Sequence, residues 1–264
     1  MSMLNRPITA REYKLMLNVD RFADRAHGSE AFYRLLEFLI KKDGEATIQA
    51  ESEEKRRLTS YWDTPELAVR QEGYALRLRQ KKKGFEINLK HRRPDRYLSA
   101  ARDLASSQKG ETKFEEDILP PFVSKFAIST EVDVTDAPDL STVQEVVALF
   151  PGLAALNLDA HDPVGRINDF EAVEVARDLC TFRFGDATEV DADLSFWYLP
   201  ANEDAWPMVA EFSFDFKGSN GDGLEEFPTR VVERANRLFT ALQSQAGWAN
   251  LSQTTKTAFA LEAL

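Results

Sequence analysis

With Cys180 as its one cysteine, the chain has no intrachain disulfide to form, and such sparse use of cysteine fits a reducing compartment. Three histidines, and no CxxC or HExxH spacing, leave no His- or Cys-rich metal site to read. No segment approaches the roughly 20 apolar residues of a membrane-spanning helix, and the N-terminal MSMLNRPITARE lacks the apolar core of a signal peptide. Positive charge is in deficit as well. The 33 Lys and Arg against 44 Asp and Glu give a net charge of −11, whereas a duplex nucleic-acid binder presents a basic surface. These absences point to a soluble, cytoplasmic protein that engages neither membrane nor duplex nucleic acid. Apolar material, by contrast, is ample: 43% hydrophobic residues, 18 of them Phe, can fill a sizeable core across 264 residues.

Alternation of apolar and polar residues marks eight candidate strands, near 11–18, 55–62, 74–82, 85–92, 112–119, 172–184, 187–198 and 207–217. Helical spacing appears in SEAFYRLLEFLIKK (29–42), with Ser29 placed as its N-cap, and in TPELAVRQEG (64–73), with Pro65 at its first position. It appears again in STVQEVVALF (141–150), capped by Ser141, then over 224–245 and in a short segment after Ser252. The connections at 99–110, Pro120-Pro121 and 161–165 are too short for an interdomain linker, so residues 1–264 read as one domain.

The polar faces of these strands carry the functional signal. In GYALRLRQKKKGFEINLKHRR, Arg77 and Arg79 alternate with Leu76 and Leu78, and Lys90 and Arg92 alternate with Ile87 and Leu89. Other strands present Glu12 and Lys14, then Lys113, Glu115 and Asp117, then Glu189, Asp191 and Asp193, and finally Glu211, Ser213 and Asp215. A single such strand is compatible with an ordinary solvated sheet face. The set is different, because some faces are cationic, others anionic, and the charges sit at mid-strand. An α+β protein explains both facts if an eight-stranded antiparallel β-barrel encloses a polar tunnel and helices pack on its apolar outside. Arg and Lys in such a lumen would bind phosphoryl oxygens, and carboxylates would hold Mg²⁺ or Mn²⁺, which prefer oxygen ligands.

The block SYWDTPELAVRQEGYALRLRQKKKGFEINLK (60–90) resembles the signature of the CYTH, or triphosphate tunnel metalloenzyme, superfamily. AREYKLML resembles that family's N-terminal ExExK strand, EFSFDFK its late ExExE strand, and TTK its C-terminal Ser-Lys. The resemblance implies an eight-stranded antiparallel tunnel and a metal-dependent triphosphatase. The substrate would be inorganic tripolyphosphate, thiamine triphosphate or a nucleoside triphosphate; a class IV adenylate cyclase is the less favoured activity.

Carried over position by position, the resemblance implies phosphate ligands at Lys14, Arg77, Arg79 and Lys90, with Lys113, Arg177 and Lys256 as further candidates. It implies metal or water-positioning carboxylates at Glu12, Glu115, Asp193, Glu211 and Asp215, with Glu12 and Lys14 closest to the chemistry. The sequence departs from the motifs at Ala10, which replaces the first Glu of ExExK. It departs again at Ser213 and Asp215, which replace the second and third Glu of ExExE. The cationic set is complete while the metal set is thinned, so a tunnel that binds polyphosphate or nucleotide without turnover is the alternative. The partner in either case is a small triphosphate or polyphosphate, and a homodimer is compatible with the sequence.

Overall fold

The first strand explains the architecture. In Ala10–Leu17 (β1), Tyr13, Leu15 and Leu17 fall on one face and are buried, while Glu12 and Lys14 fall on the other. A strand with an apolar and a charged face must put the first on a core and enclose or solvate the second. In the computed structural model, which describes residues 6–44, 48–184, 188–200, 202, 206–218, 227–252 and 255–262, the charged face is enclosed.

The sheet closes on itself in a ring of nine strands. Their order is β1, β10 (Val209–Lys217), β9 (Thr188–Tyr198), β8 (Gly165–Phe184), β3 (Glu54–Asp63), β4 (Tyr74–Gln80), β5 (Phe85–Arg93), β7 (Val123–Val134) and β6 (Gly110–Leu119), which returns to β1. Every junction is antiparallel except β1 with β6, which is parallel. Short strands β2 (Ile48–Ala50) and β11 (Ala249–Asn250) pair at the edges of β8 and β1.

The expected class holds, with helices outside a closed sheet and alternation setting the two faces. Outside the ring, α1 (Arg25–Lys42) and α5 (Thr229–Gln243) cover a cluster that includes Tyr13, Phe32, Phe212, Phe214 and Phe239. Tyr13 stacks on Phe214 with ring centroids 4.7 Å apart. A second cluster, including Leu76, Ile87, Leu89, Phe114 and Ile128, packs beneath α4 (Val143–Leu149). Each such buried side chain contributes roughly 1.5–3 kcal/mol by leaving water.

Four local expectations change. The ring has one strand more than the eight candidates: VSKFAISTEVDV alternates Phe126, Ile128, Val132 and Val134 against Lys125, Ser129 and Glu131, yet no strand was expected there. The Pro120-Pro121 connection is the tight turn, with a cis peptide, that joins β6 to β7. Helix α1 starts earlier than expected, because Asp24, not Ser29, accepts the His27 backbone N–H; likewise Thr142, not Ser141, caps α4. Only Ala68–Gln71 of the 64–73 segment is helical (α2). Position 187 of the seventh candidate strand, and 224–226 of the long C-terminal helix, lie outside the described residues.

Candidate functional site

Two buried carboxylates organise the interior of the ring. Asp117 on β6, fully shielded from solvent, takes Lys14 from β1 at 2.9 Å and two cations from β5, Lys90 at 3.3 Å and Arg92 at 2.6 Å. Glu174 on β8, 1% exposed, takes Arg79 from β4 at 2.9 Å and Lys256 at 3.4 Å, with Arg57 from β3 at 3.9 Å. Thr59 and Ser195 also donate to it. Between the two groups, Glu86 on β5 holds Arg79 at 2.9 Å and Arg77 at 3.5 Å.

The charges follow from these contacts. Burial pushes the Asp117 carboxyl up, but Arg92, Lys14 and Lys90 outweigh it and hold it well below the usual range. Glu174 is likewise held down against burial by Arg79 and Lys256, and Glu86 is held at about 2 against burial by Arg79 and Arg77. Lys90 moves the other way. Burial, with Lys14 and Arg92 nearby, lowers its amine to about 8 despite the pull of Asp117. Other carboxylates share these cations, Glu12 on Lys14, Glu86 on Arg79 and Arg77, Glu131 on Arg77 and Glu211 on Lys256. Lys14, Arg57, Arg77, Arg79, Lys90, Arg92 and Lys256 thus meet Glu12, Glu86, Asp117, Glu131, Glu174 and Glu211, which leaves one positive charge over in a bank of cations fixed before any ligand arrives.

The cations surround a chamber of about 250 Å³. Lys14, Arg77, Arg79, Lys90, Lys113 and Lys256 line it, as do the carboxylates Glu12, Glu115 and Glu211. The sequence expectations for these nine positions therefore meet in one cavity. Glu12 is already engaged by Lys14 at 2.7 Å, and Glu211 by Lys256 at 3.2 Å. Lys256 reaches in from the first turn of α6 (Lys256–Glu262), where Thr255 and Thr257 also face the cavity.

Asp193 and Asp215 lie apart from this chamber, along the same interior faces of β9 and β10. In the sheet register Asp215 sits opposite both Glu12 and Asp191, and Asp193 opposite Ser213 and Asp178. No cation within ion-pair distance neutralises either among the described residues. Burial, then the neighbouring Glu12, Asp191 and Glu115, push Asp215 up to about 8; burial and Asp178 push Asp193 up to about 7. Among the described residues no three of these groups converge tightly enough to form a finished metal site. The donor set nevertheless suits a hard cation, being oxygen-rich and carrying unneutralised negative charge.

Arg177 does not join the site. Two-residue alternation puts Glu174 inside, so Arg177 falls with Val173 and Val175 on the face that packs outward. Three other functional groups were overlooked: Asp117 and Glu174 as anchors, and Arg57. Asp117 shares a face with Lys113 and Glu115, so its inward direction was readable; its three partners come from strands brought together by long-range pairing. Arg92, on the same polar face as Lys90, is buried on Asp117, and Lys81 is tied to Glu86 at 3.3 Å, whereas Lys82 and Lys83 are exposed.

A second chamber, of about 360 Å³, continues from the first and shares Tyr61, Arg77, Asn88, Lys90, Arg92, Thr255 and Thr257 with it. Its outer wall is built by the DTP turn. The buried Asp63 carboxylate accepts the backbone N–H groups of Thr64, Val69 and Arg70 at 2.7, 3.0 and 2.8 Å. That clamp, with Leu67 at φ 58°, sets Arg70 and Gly73 against the chamber.

No protein-family model matches the chain, and no curated protein matches it. Solved structures do. One is a Hippeastrum protein provisionally assigned as an adenylyl cyclase and described as having a dominant triphosphatase activity; it is 11% identical over 97% of this chain and 96% of its own, with a TM-score of 0.51. Another, a Bacillus halodurans protein provisionally assigned as an adenylate cyclase, is 15% identical over 95% of this chain and 94% of its own, with a TM-score of 0.42. The first likeness extends over nearly the whole chain and shows a shared fold, the closed sheet with helices outside.

Proposed function

We propose that this protein is a phosphohydrolase acting on a linear triphosphate. The observation that carries the reading is the pair of buried carboxylates, Asp117 and Glu174, each fixing three cations around one chamber, so that a bank of donors is held in place for phosphoryl oxygens. Arg77 and Arg79 offer guanidinium forks that suit phosphoryl oxygens, while Lys14, Lys90 and Lys256 act as point charges.

Glu12 is the group placed to orient a water. It sits at the boundary between the cation bank and the acid end, opposite Asp117 on one side and Asp215 on the other. Attack of that water on the terminal phosphorus forms one P–O bond and breaks the bridging P–O bond opposite it, releasing phosphate and the shortened chain. Such a displacement asks the protein mainly for positioning and charge stabilisation, so no nucleophilic side chain is needed. A divalent cation, Mg²⁺ or Mn²⁺, would be held by Glu12, Glu115, Asp193 and Asp215, and when bound it supplies charge neutralisation at the phosphoryl oxygens. Glu211 fits that role less well because Lys256 already occupies it.

A second reading, binding without turnover, draws support from Ala10 and Ser213. Ala10 pairs across β6 with Glu115, and Ser213 lies between Lys14 and Asp193, so both missing carboxylates belong at the acid end. Phosphate release from tripolyphosphate with Mg²⁺ or Mn²⁺, measured beside the ligand-induced thermal shift, separates the readings. Turnover is expected. A thermal shift without turnover under either metal assigns binding alone, and neither effect removes the triphosphate reading. The double variant Ala10→Glu, Ser213→Glu is expected to tighten Mn²⁺ binding in calorimetry, since affinity follows the number and charge of oxygen ligands.

A further inference from the structure

Among the carboxylates that meet the cations of the first chamber, Glu131 is held differently. Asp117, Glu174, Glu211 and Glu86 have side chains 0%, 1%, 5% and 10% exposed, and each holds a cation at 2.6 to 3.2 Å. Glu131 is 41% exposed and its contacts are long, 3.5 Å to Nη2 of Arg77 and 3.4 Å from the donating amide of Asn88. It lines the chamber all the same. Alternation along β7 puts Ser129 and Glu131 on the inner face, while Ile128 and Val132 pack outward.

The register explains the loose hold. On one side Glu131 stands directly opposite Glu111 of β6, and like charges so placed repel. On the other it stands opposite Asn88 of β5, which offers a neutral amide. Arg77 of β4 is opposite Asn88 in turn, so Arg77, Asn88 and Glu131 form one row across three strands. The outer two backbones are on the order of 10 Å apart, and their long side chains meet over the short Asn88.

Arg77 is held as loosely as its partner. Its Nη2 lies 3.5 Å from Glu86 as well as from Glu131, and its buried Nε has no hydrogen-bond partner among the described residues. Arg79 and Arg92, by contrast, are fixed by contacts of 2.9 and 2.6 Å. Arg77 is therefore the guanidinium that a phosphoryl oxygen can take over most readily. Of its two carboxylates Glu131 is the one able to leave, because solvent on its open side can receive the charge, whereas Glu86 would stay buried.

On the proposed triphosphate reading, we infer that Glu131 is an internal competitor for Arg77, displaced from the guanidinium when a phosphoryl group takes its place. Its role is opposite to that of Asp117 and Glu174, which fix cations for the ligand. Glu131 limits how tightly the ligand is held, and its return to Arg77 assists release.

The test is a titration with tripolyphosphate, at fixed ionic strength, of wild type, Glu131→Gln, Arg77→Ala and the double variant. Glu131→Gln keeps the shape of the side chain and removes its charge, and should tighten binding about three- to tenfold. In the Arg77→Ala background the same change should gain less than about twofold, because the contested group is gone. Glu131→Asp, which keeps the charge but draws it back by one methylene, should fall between wild type and Glu131→Gln. Asp133→Asn is the control. Asp133 lies two residues further along the same face of β7, is 74% exposed and pairs with Lys81 at the hairpin tip. Its replacement removes an equal charge and should alter affinity by less than about twofold. Unchanged or weaker binding by Glu131→Gln would mean that the carboxylate positions Arg77 for the ligand, and overturns the inference. An equal gain in Asp133→Asn, or in the Arg77→Ala background, overturns it as an effect of net charge alone. Both results leave the triphosphate reading standing, whereas absence of tripolyphosphate binding in wild type and in Glu131→Gln removes both.

Discussion

The cation bank and the acid end occupy one interior, yet they are built on opposite terms. Around Asp117 and Glu174 every buried charge has a partner of opposite sign, and the carboxylates are held low in pKa against the effect of burial. Around Asp193 and Asp215 like charges face one another, Asp193 with Asp178 and Asp215 with Asp191 and Glu12, and burial with this repulsion raises them to about 7 and 8. A site for an anion can be finished in advance, because a protein carboxylate can stand among the cations and fix them. A site for a cation made only of carboxylates stays under repulsion until a cation or a proton enters it.

The comparison breaks most sharply at Asp117. Asp117→Ala would leave Lys14, Lys90 and Arg92 buried without their shared anion, which should lower unfolding free energy by about 3–5 kcal/mol. Urea denaturation checks this. Because the three cations remain, tripolyphosphate should recover more stability in the variant than in wild type. Equal ligand-induced gains in both proteins would show that the anchor and the ligand do not share those cations.

A smaller effect concerns ligand affinity. Arg79→Ala should weaken tripolyphosphate binding by a charge-assisted contact of about 1.5–3 kcal/mol, or 10- to 150-fold, read by titration at fixed ionic strength. Part of the measured change will be Glu174 and Glu86 losing a partner, so Arg79→Lys serves as the comparison. It keeps the charge and removes the fork.

The pH dependences of the two regions should run in opposite directions. Asp193 and Asp215 have folded-state values raised above the usual 3.8, so the folded state binds more protons than the unfolded. Their contribution is fully present below about pH 4 and is lost as pH rises through 7 to 8. Glu86 is depressed to about 2 from 4.5, so its contribution is present above pH 4.5 and lost as pH falls through 2. Melting temperature followed from pH 5 to 8.5 should therefore fall in part through the acid end. Asp215→Asn, or saturating Mg²⁺, should flatten that fall; an unchanged slope in both would contradict the repulsion described here.

The smallest effect is expected at the hairpin tip. Lys82 is exposed, so Lys82→Ala should alter tripolyphosphate affinity by less than about twofold. Net charge falls equally in Lys82→Ala and Arg79→Ala, so comparable losses in the two would mean a diffuse basic patch instead of a built chamber.

Much of the fold was legible because its signal is local. Alternation in YALRLRQ and FEINLKHRR assigns each residue to a face regardless of what lies across the sheet, and Arg77, Arg79 and Lys90, which it puts on the polar face, line one chamber. The same rule marks β7 through Phe126, Ile128 and Val132, a strand the eight candidates do not include. It also corrects Arg177, which is out of phase with Glu174. Helix starts were less legible, since several Ser, Thr and Asp residues near each end could cap and only tertiary position selects Asp24 or Thr142.

By itself, then, the sequence determined which side chains face inward, because side-chain direction in a strand repeats every two residues and needs no partner. It also determined that the interior is charged and the exterior apolar. Only the tertiary structure decided which charge meets which. Asp117 gathers Lys14 through the parallel β1–β6 pairing, and Arg92 from β5, which reaches β6 only through β7. Glu174 gathers Arg79 through β3, and Lys256 from beyond the last strand of the ring. Those meetings depend on strand order and register across the whole chain, and two-residue periodicity within one strand contains neither.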